Sequence, residues 1–99
     1  MESIKIVFTD DVRAEVQLFS DEVLIGKMSM AMTAGKLTVF HTEVDPKFEG
    51  RGFAKLLLGE LVHYAREREL KIIPLCLYVS AQFHRNPAKY EDVWSKEHS

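Results

Sequence analysis

The stretch VDPKFEGRGFAKLLLGELVHYARE, Val44–Glu67, is where the apolar residues change period. Before it they alternate. Asp45-Pro46 ends a β-branched and aromatic run, because a proline restricts the residue before it. From Gly52 to Leu70, Phe53, Leu57, Leu61 and Tyr64/Ala65 recur at three- or four-residue steps, one helical stripe. Between the two lies Gly50-Arg51-Gly52. A strand that turns into a helix exposes unpaired N–H groups at the positive end of the helix dipole, and glycines let an anion approach that backbone closely. Arg51 can bind an anion bidentately, and Lys47 and Lys55 flank the turn with further positive charge. The spacing admits two readings, a phosphate-holding turn or a tight strand–helix connection that needs glycine for steric reasons. Two motifs are excluded. The nucleotide triphosphatase loop needs a second glycine five residues after the first, and a dinucleotide fingerprint needs its third glycine at the same place; both meet Lys55.

Upstream, the chain reads as strands. Ile4–Phe8 alternates and stops at Asp10-Asp11. Arg13–Phe19 sets Ala14, Val16 and Leu18 on one face, and Ser20-Asp21 turns it into Val23–Met32, broken by Gly26. Thr33–Lys36 has the length and glycine of a hairpin loop leading to Leu37–Val44. Together these make an antiparallel meander. Downstream, Arg66–Glu69 is a solvated helix end, and Ile72–Val79 has a buried strand's composition with Pro74 inside it. Ser80–His84 forms a short helix that Asn86-Pro87 breaks. The expected fold class is α/β, with a mixed, mostly antiparallel sheet of about five strands. One long helix follows strand four and a short helix closes the chain. Proline cannot donate to a ladder, so strand 72–79 has one side unpaired near Pro74. It is either an edge strand or the place where two strands separate and leave a cleft.

Length bounds the rest. Ninety-nine residues, 46% apolar and 28% charged, make one domain over 1–99 with ordinary globular composition. Thirteen basic against fifteen acidic side chains argue against a nucleic-acid partner, and no basic stripe with interleaved aromatics runs through the chain. Cys76 is the sole cysteine, so no internal disulfide forms and a reducing cytoplasm is the expected compartment. The N-terminal residues have no apolar signal core and no run approaches a membrane span, so no membrane association is expected. No metal is expected either.

In combination, several segments resemble the GNAT superfamily of acetyl-CoA-dependent N-acetyltransferases. They are His41-Thr42-Glu43-Val44, Glu49-Gly50-Arg51-Gly52-Phe53-Ala54, the leucine-rich helix, Ile72-Ile73-Pro74-Leu75-Cys76 and the tail Tyr78-Val79…Phe83…Asn86-Pro87…Tyr90-Glu91-Asp92-Val93. Covering about residues 12–93, they resemble its small single-domain branch. The superfamily pattern Gln/Arg-x-x-Gly-x-Gly/Ala is met by Gly52 and Ala54, while Glu49 stands where Gln or Arg is usual. A carboxylate repels a pyrophosphate, so Glu49 is expected to turn away or to cap the helix. The resemblance implies that the backbone of Gly50, Arg51, Gly52, Phe53, Ala54 and Lys55 holds the pyrophosphate of coenzyme A. It implies too that strand 37–44 parts from strand 72–79, and that the pantetheine arm lies in that opening along Thr42, Glu43 and Val44. Pro74 then marks the cleft.

Acetyl transfer to an amine needs a neutral nucleophile, a polarised thioester and a proton for the departing thiolate. Small members of this branch carry a cysteine at the position of Cys76, which the resemblance makes the catalytic group, either acetylated itself or protonating coenzyme A. Without the resemblance, the sequence favours a buried cysteine acting as a small hydrophobe, and the resemblance reverses that preference. His41 is expected to face the cleft and assist the thiol, with Glu43 on its face to orient the imidazole. Tyr78 and Tyr90 are read as packing. The implied function is an acetyl-CoA-dependent N-acetyltransferase whose acceptor is a small amine or a protein lysine, working as a monomer or weak homodimer. The alternative is a non-catalytic coenzyme A-binding sensor or interaction module, because the helices that shape an acceptor site in larger acetyltransferases are missing from the pattern.

Overall fold

The computed structural model describes residues 1–95; the last four positions of the expected 1–99 domain lie outside the described residues. Four antiparallel strands, β1 (Glu2–Phe8), β2 (Arg13–Ser20), β3 (Val23–Thr33) and β4 (Lys36–Val44), form the meander. A single 3-10 turn at Pro46–Phe48 leads to helix α1 (Phe53–Glu67), and β5 (Lys71–Pro74) returns parallel to β4. The sheet order is β1-β2-β3-β4-β5. Helices α2 (Leu77–Arg85) and α3 (Pro87–Tyr90) follow. The architecture is the α/β fold with a mixed, mostly antiparallel five-stranded sheet.

One face of the sheet carries the core. Ala14, Val16 and Leu18 are buried on β2, Met28 and Met30 on β3, and Leu37 and Val39 on β4. The α1 stripe Leu57, Leu58, Leu61, Val62 and Ala65 covers them. Gly26 explains the close fit, since a Cβ there would stand 3.1 Å from the Glu43 carbonyl and 3.4 Å from Leu57. Beside α1, Val79 and Phe83 of α2 enter the same core, and the Phe83 ring stacks on Tyr90 at 4.6 Å. Among the described residues no helix covers the opposite face, where Lys27 pairs with Glu15 at 3.5 Å and Glu43 at 3.9 Å. That face is polar because it meets water.

Two expectations need correction. Strand 72–79 is cut to Lys71–Pro74, and helix begins at Leu77 rather than Ser80. A tight turn at Pro74, closed by the Leu75 N–H on the Ile73 carbonyl at 3.1 Å, ends the strand. The outer edge of β5 is bonded at Ile72, which donates to Val93 and accepts from Ser95. By alternation, Pro74 turns its missing donor to that same outer side, so the edge-strand reading holds. The cleft reading holds as well. Pairing of β4 with β5 runs only to Val39 and Pro74, and among the described residues no strand pairs with β4 on that side from there to Val44.

Candidate active site

The opening between β4 and β5 starts from a bulge. Ser29 pairs with His41 and Met30 with Val39, so Phe40 is an extra residue in β4. Past it the alternation is reversed. Thr42, opposite buried Met28, takes the core face, while His41 and Glu43, opposite Ser29 and Lys27, take the solvent face. Counting two-residue steps from Val39 puts His41 in the cleft, and the one-residue bulge moves it out. The expectation that His41 faces the cleft with Glu43 behind it is therefore corrected. The two do share a face, but it is the other one, and Glu43 binds Lys27.

Thr42 takes the place intended for His41. Its Oγ1 lies 3.1 Å from Cys76 Sγ. Cys76 is buried, and it is the N-cap residue of α2, not a strand residue. Its N–H donates to the Val39 carbonyl at 3.0 Å, and its own carbonyl accepts the Ser80 N–H at 2.9 Å. These two bonds fix the thiol where the strands part, beside the positive end of the α2 dipole. The Asp45 N–H is bonded to the Ile25 carbonyl, so by alternation Thr42 and Val44 present their backbone groups to the side that β5 vacates.

A cavity of about 470 Å³ fills the opening, lined by Thr42, Val44, Phe48, Glu49, Gly50, Gly52, Phe53, Ala54, Lys55 and Tyr78. Gly50 and Gly52 hold left-handed conformations, φ 81° and 79°, and a Cβ on either would meet nothing within 4 Å. Those glycines serve the backbone path and leave the space before it clear. Gly52 caps α1 without a side-chain bond, and the first helical bond runs from Leu56 to Gly52. The N–H groups of Phe53, Ala54 and Lys55 thus have no acceptor within the helix. Glu49 does not cap it; its exposed side chain is part of the cavity wall. Arg51 is not in that wall: its guanidinium lies over the Phe48 ring, 5.3 Å from the centroid.

Tyr78 is the residue that pattern reading assigned to packing and the structure puts in the cavity. Burial pushes its phenol above its usual pKa, with Tyr90 and Cys76 adding to the rise, so it keeps its proton at neutral pH. Its position two residues after Cys76 was the available signal, hidden by reading a strand where the helix begins. Tyr90, by contrast, is buried against Phe83 as expected. His84 contacts Trp94 edge-on, 4.9 Å between ring centroids, and His63 pairs with Glu67 on the exposed side of α1.

The family model described as GCN5-related N-acetyl-transferase matches residues 13–93. The chain belongs to that family. This GCN5-related fold is similar to the ribosomal-protein-S18-alanine N-acetyltransferase of Escherichia coli, at 15% identity and TM-score 0.70, covering 75% of this chain and 66% of that one. It is similar to the ribosomal-protein-alanine N-acetyltransferase of Brucella melitensis, at 23% identity and TM-score 0.64, covering 69% and 50%. A third similar structure is the PaiA N-acetyltransferase of Thermoplasma acidophilum in complex with coenzyme A, at 20% identity and TM-score 0.56, covering 60% and 37%. The chain thus spans less than two thirds of the length of each. No curated protein matches it. Among the described residues no helix is long and apolar enough to cross a membrane.

Proposed function

We propose that this GCN5-related chain binds acetyl-CoA in the β4–β5 opening and transfers the acetyl group to an amine, a small molecule or a protein lysine, with Cys76 meeting the thioester. One observation carries the reading. A single cavity has an uncapped, glycine-built helix start at one end and, at the other, Thr42 with its hydroxyl on the Cys76 thiol. Apart from the Glu49 carboxylate in the cavity wall, the residues fit the ligand. Backbone N–H groups from Gly50 to Lys55 suit a pyrophosphate, and the open-edge groups of Thr42 and Val44, with Glu43 between them, suit the two amides of a pantetheine arm. Arg51 adds charge at the turn once it leaves the Phe48 ring.

Cys76 has two balanced routes. In one, its sulfur bonds to the acetyl carbon, the carbon–sulfur bond to coenzyme A breaks and the thiol proton passes to the departing thiolate. An amine then takes the acetyl group, and its proton returns to Cys76. In the other, the amine attacks the thioester directly, and Cys76 protonates the thiolate and is reprotonated through water. Thr42 holds the sulfur on the cleft side in both. Tyr78, in the cavity wall, offers a second proton. Intact mass spectrometry after mixing with acetyl-CoA, with and without amines, tests the reading. An acetyl adduct lost from Cys76→Ala and discharged by an amine supports the covalent route, and acetylated amine without an adduct supports the direct one.

The sensor reading rests on a different observation. The side-chain partner of the thiol is the Thr42 hydroxyl, and the imidazole of β4 points away. A chain that binds coenzyme A and acetylates no amine, in that same experiment, is a sensor.

A further inference from the structure

Gly59 stands in the middle of α1, where glycine is the least favourable residue after proline. Of the five glycines, Gly35, Gly50 and Gly52 serve left-handed turns and Gly26 a close approach of strand and helix. Gly59 has neither reason. Its backbone is helical, and a Cβ on it would meet nothing within 4 Å. An alanine would fit and would hold the helix better. The space left by the missing side chain is thus open to something that the chain itself does not supply.

That space belongs to a groove of about 320 Å³ between α1 and the α2–α3 pair. Lys55, Gly59, Val62 and Arg66 line it at three- or four-residue steps, one face of α1. Gln82 and Lys89 line it from α2 and α3, and no carboxylate does. Arg66 is committed to Asp92 and to the Lys89 carbonyl. Among the described residues neither Lys55 nor Lys89 is in an ion pair. The Lys89 ammonium lies 5.5 Å from the centroid of the Tyr90 ring, itself part of the groove wall. The groove therefore offers two uncompensated cations, one unbranched helix face and a carboxamide, a set that suits a phosphate beside a flat base.

Continuity decides which one. Lys55 lines both this groove and the β4–β5 cavity, so the groove begins where the glycine turn ends. Gly59 is four residues further along α1, about 6 Å at the helical rise, a step that a ribose spans. A pyrophosphate on the Phe53–Lys55 N–H groups would thus carry its nucleoside into the groove.

We infer that this groove is a subsite for the adenosine 3′-phosphate of the donor, with Gly59 as the floor under the purine and Lys55 and Lys89 on the 3′-phosphate. The donor is then a free coenzyme A thioester, and not the same phosphopantetheine arm on a carrier protein, which has no nucleoside to place there. The inference rests on the acetyl-CoA reading of the neighbouring cavity.

Calorimetry with coenzyme A, 3′-dephospho-coenzyme A and 4′-phosphopantetheine tests it without turnover. The wild-type chain is expected to bind coenzyme A at least about tenfold more tightly than its dephospho form, the scale of one charged hydrogen bond, and phosphopantetheine more weakly still. In Lys89→Ala the ratio of the first two is expected to fall towards one. Gly59→Leu fills the groove: it is expected to melt at or above wild type without ligand, to lose at least about tenfold in coenzyme A affinity and to keep its affinity for phosphopantetheine. Equal binding of all three ligands by the wild type, a ratio kept in Lys89→Ala, or full coenzyme A affinity in Gly59→Leu overturns the subsite and leaves the acetyl-CoA reading standing. A Gly59→Leu that melts lower without ligand shows that the fold itself needs the glycine, and overturns the subsite too. Failure of all three ligands to bind the wild type overturns both.

Discussion

The Thr42 hydroxyl lies 3.1 Å from the Cys76 sulfur, joining a strand residue to a helix-cap residue thirty-four positions later in the chain. The contact exists because of two local events, the Phe40 bulge that turns Thr42 to the core face and the Pro74 turn that makes Cys76 a helix cap. Thr42→Val keeps the shape of the side chain and removes its hydroxyl. A neutral hydrogen bond contributes about 0.5–1.5 kcal/mol, so acetyl transfer is expected to fall by up to about tenfold. Titration with coenzyme A should show an unchanged dissociation constant. Cys76→Ala is expected to lower transfer much further, by about 10²–10⁴ if the thiol acts as acid or nucleophile. Wild-type transfer in Cys76→Ala would reduce the thiol to packing.

The glycine turn allows an internally controlled experiment. Gly35, Gly50 and Gly52 all have φ near 80°, and none has an atom within 4 Å of where a Cβ would stand. Alanine at any of the three should cost about 1–2 kcal/mol of stability, the strain of a left-handed residue. Of the three, only Gly50 and Gly52 line the cavity at the unpaired helix N–H groups. Thermal melts should therefore show three similar losses, while coenzyme A raises the melting temperature of wild type and Gly35→Ala and barely that of the other two. Equal ligand shifts in all three would show that the turn holds no phosphate.

Much of this was legible in the sequence, and the parts that were not share a cause. The meander, α1 and the glycine turn are each marked by a repeating period or a turn residue. The extra residue at Phe40 is marked by neither, because a bulge in an apolar run leaves the composition unchanged and alters only the phase. The side-chain directions inferred beyond it were reversed, which is why His41 and Glu43 were placed on the cleft face and Thr42 was given no part in the chemistry. The end of β5 was hidden in the same way. Ile72–Val79 is apolar throughout, and such a run does not distinguish strand from the buried face of a helix. Glu69 is a smaller case: the chain leaves α1 through φ 54° at a glutamate, without the glycine that usually signals such an exit.

Acid should loosen the C-terminal clasp. The Arg66 guanidinium grips Asp92 through Nε at 2.8 Å and Nη2 at 3.1 Å and also donates to the Lys89 carbonyl. That pairing holds the Asp92 carboxyl below its ordinary 3.8. A depressed folded-state pKa stabilises the fold above the unfolded value and loses that contribution as pH falls through the folded one. Asp92→Asn should thus melt slightly lower than wild type from pH 7 to about pH 4, with the gap closing below pH 3 and narrowing in high salt. The effect is small because both side chains are half in water. A gap that stays constant down to pH 2 would assign it to packing.

His41→Ala separates the sheet face from the cleft. His41 pairs with Ser29 on the solvent side, and Thr42, its neighbour, points to the core face and Cys76. Two side chains on opposite faces of a strand do not share a proton directly. The alkylation rate of Cys76 by iodoacetamide across pH 6–9 should therefore be the same in His41→Ala as in wild type, and saturating coenzyme A should protect the thiol equally in both. Transfer to an amine is the independent reading. If alkylation is unchanged but transfer falls, His41 acts on the acceptor from the helix-free face. If the alkylation profile itself moves, the imidazole reaches the thiol after all, and the phase reversal at Phe40 does not govern the site.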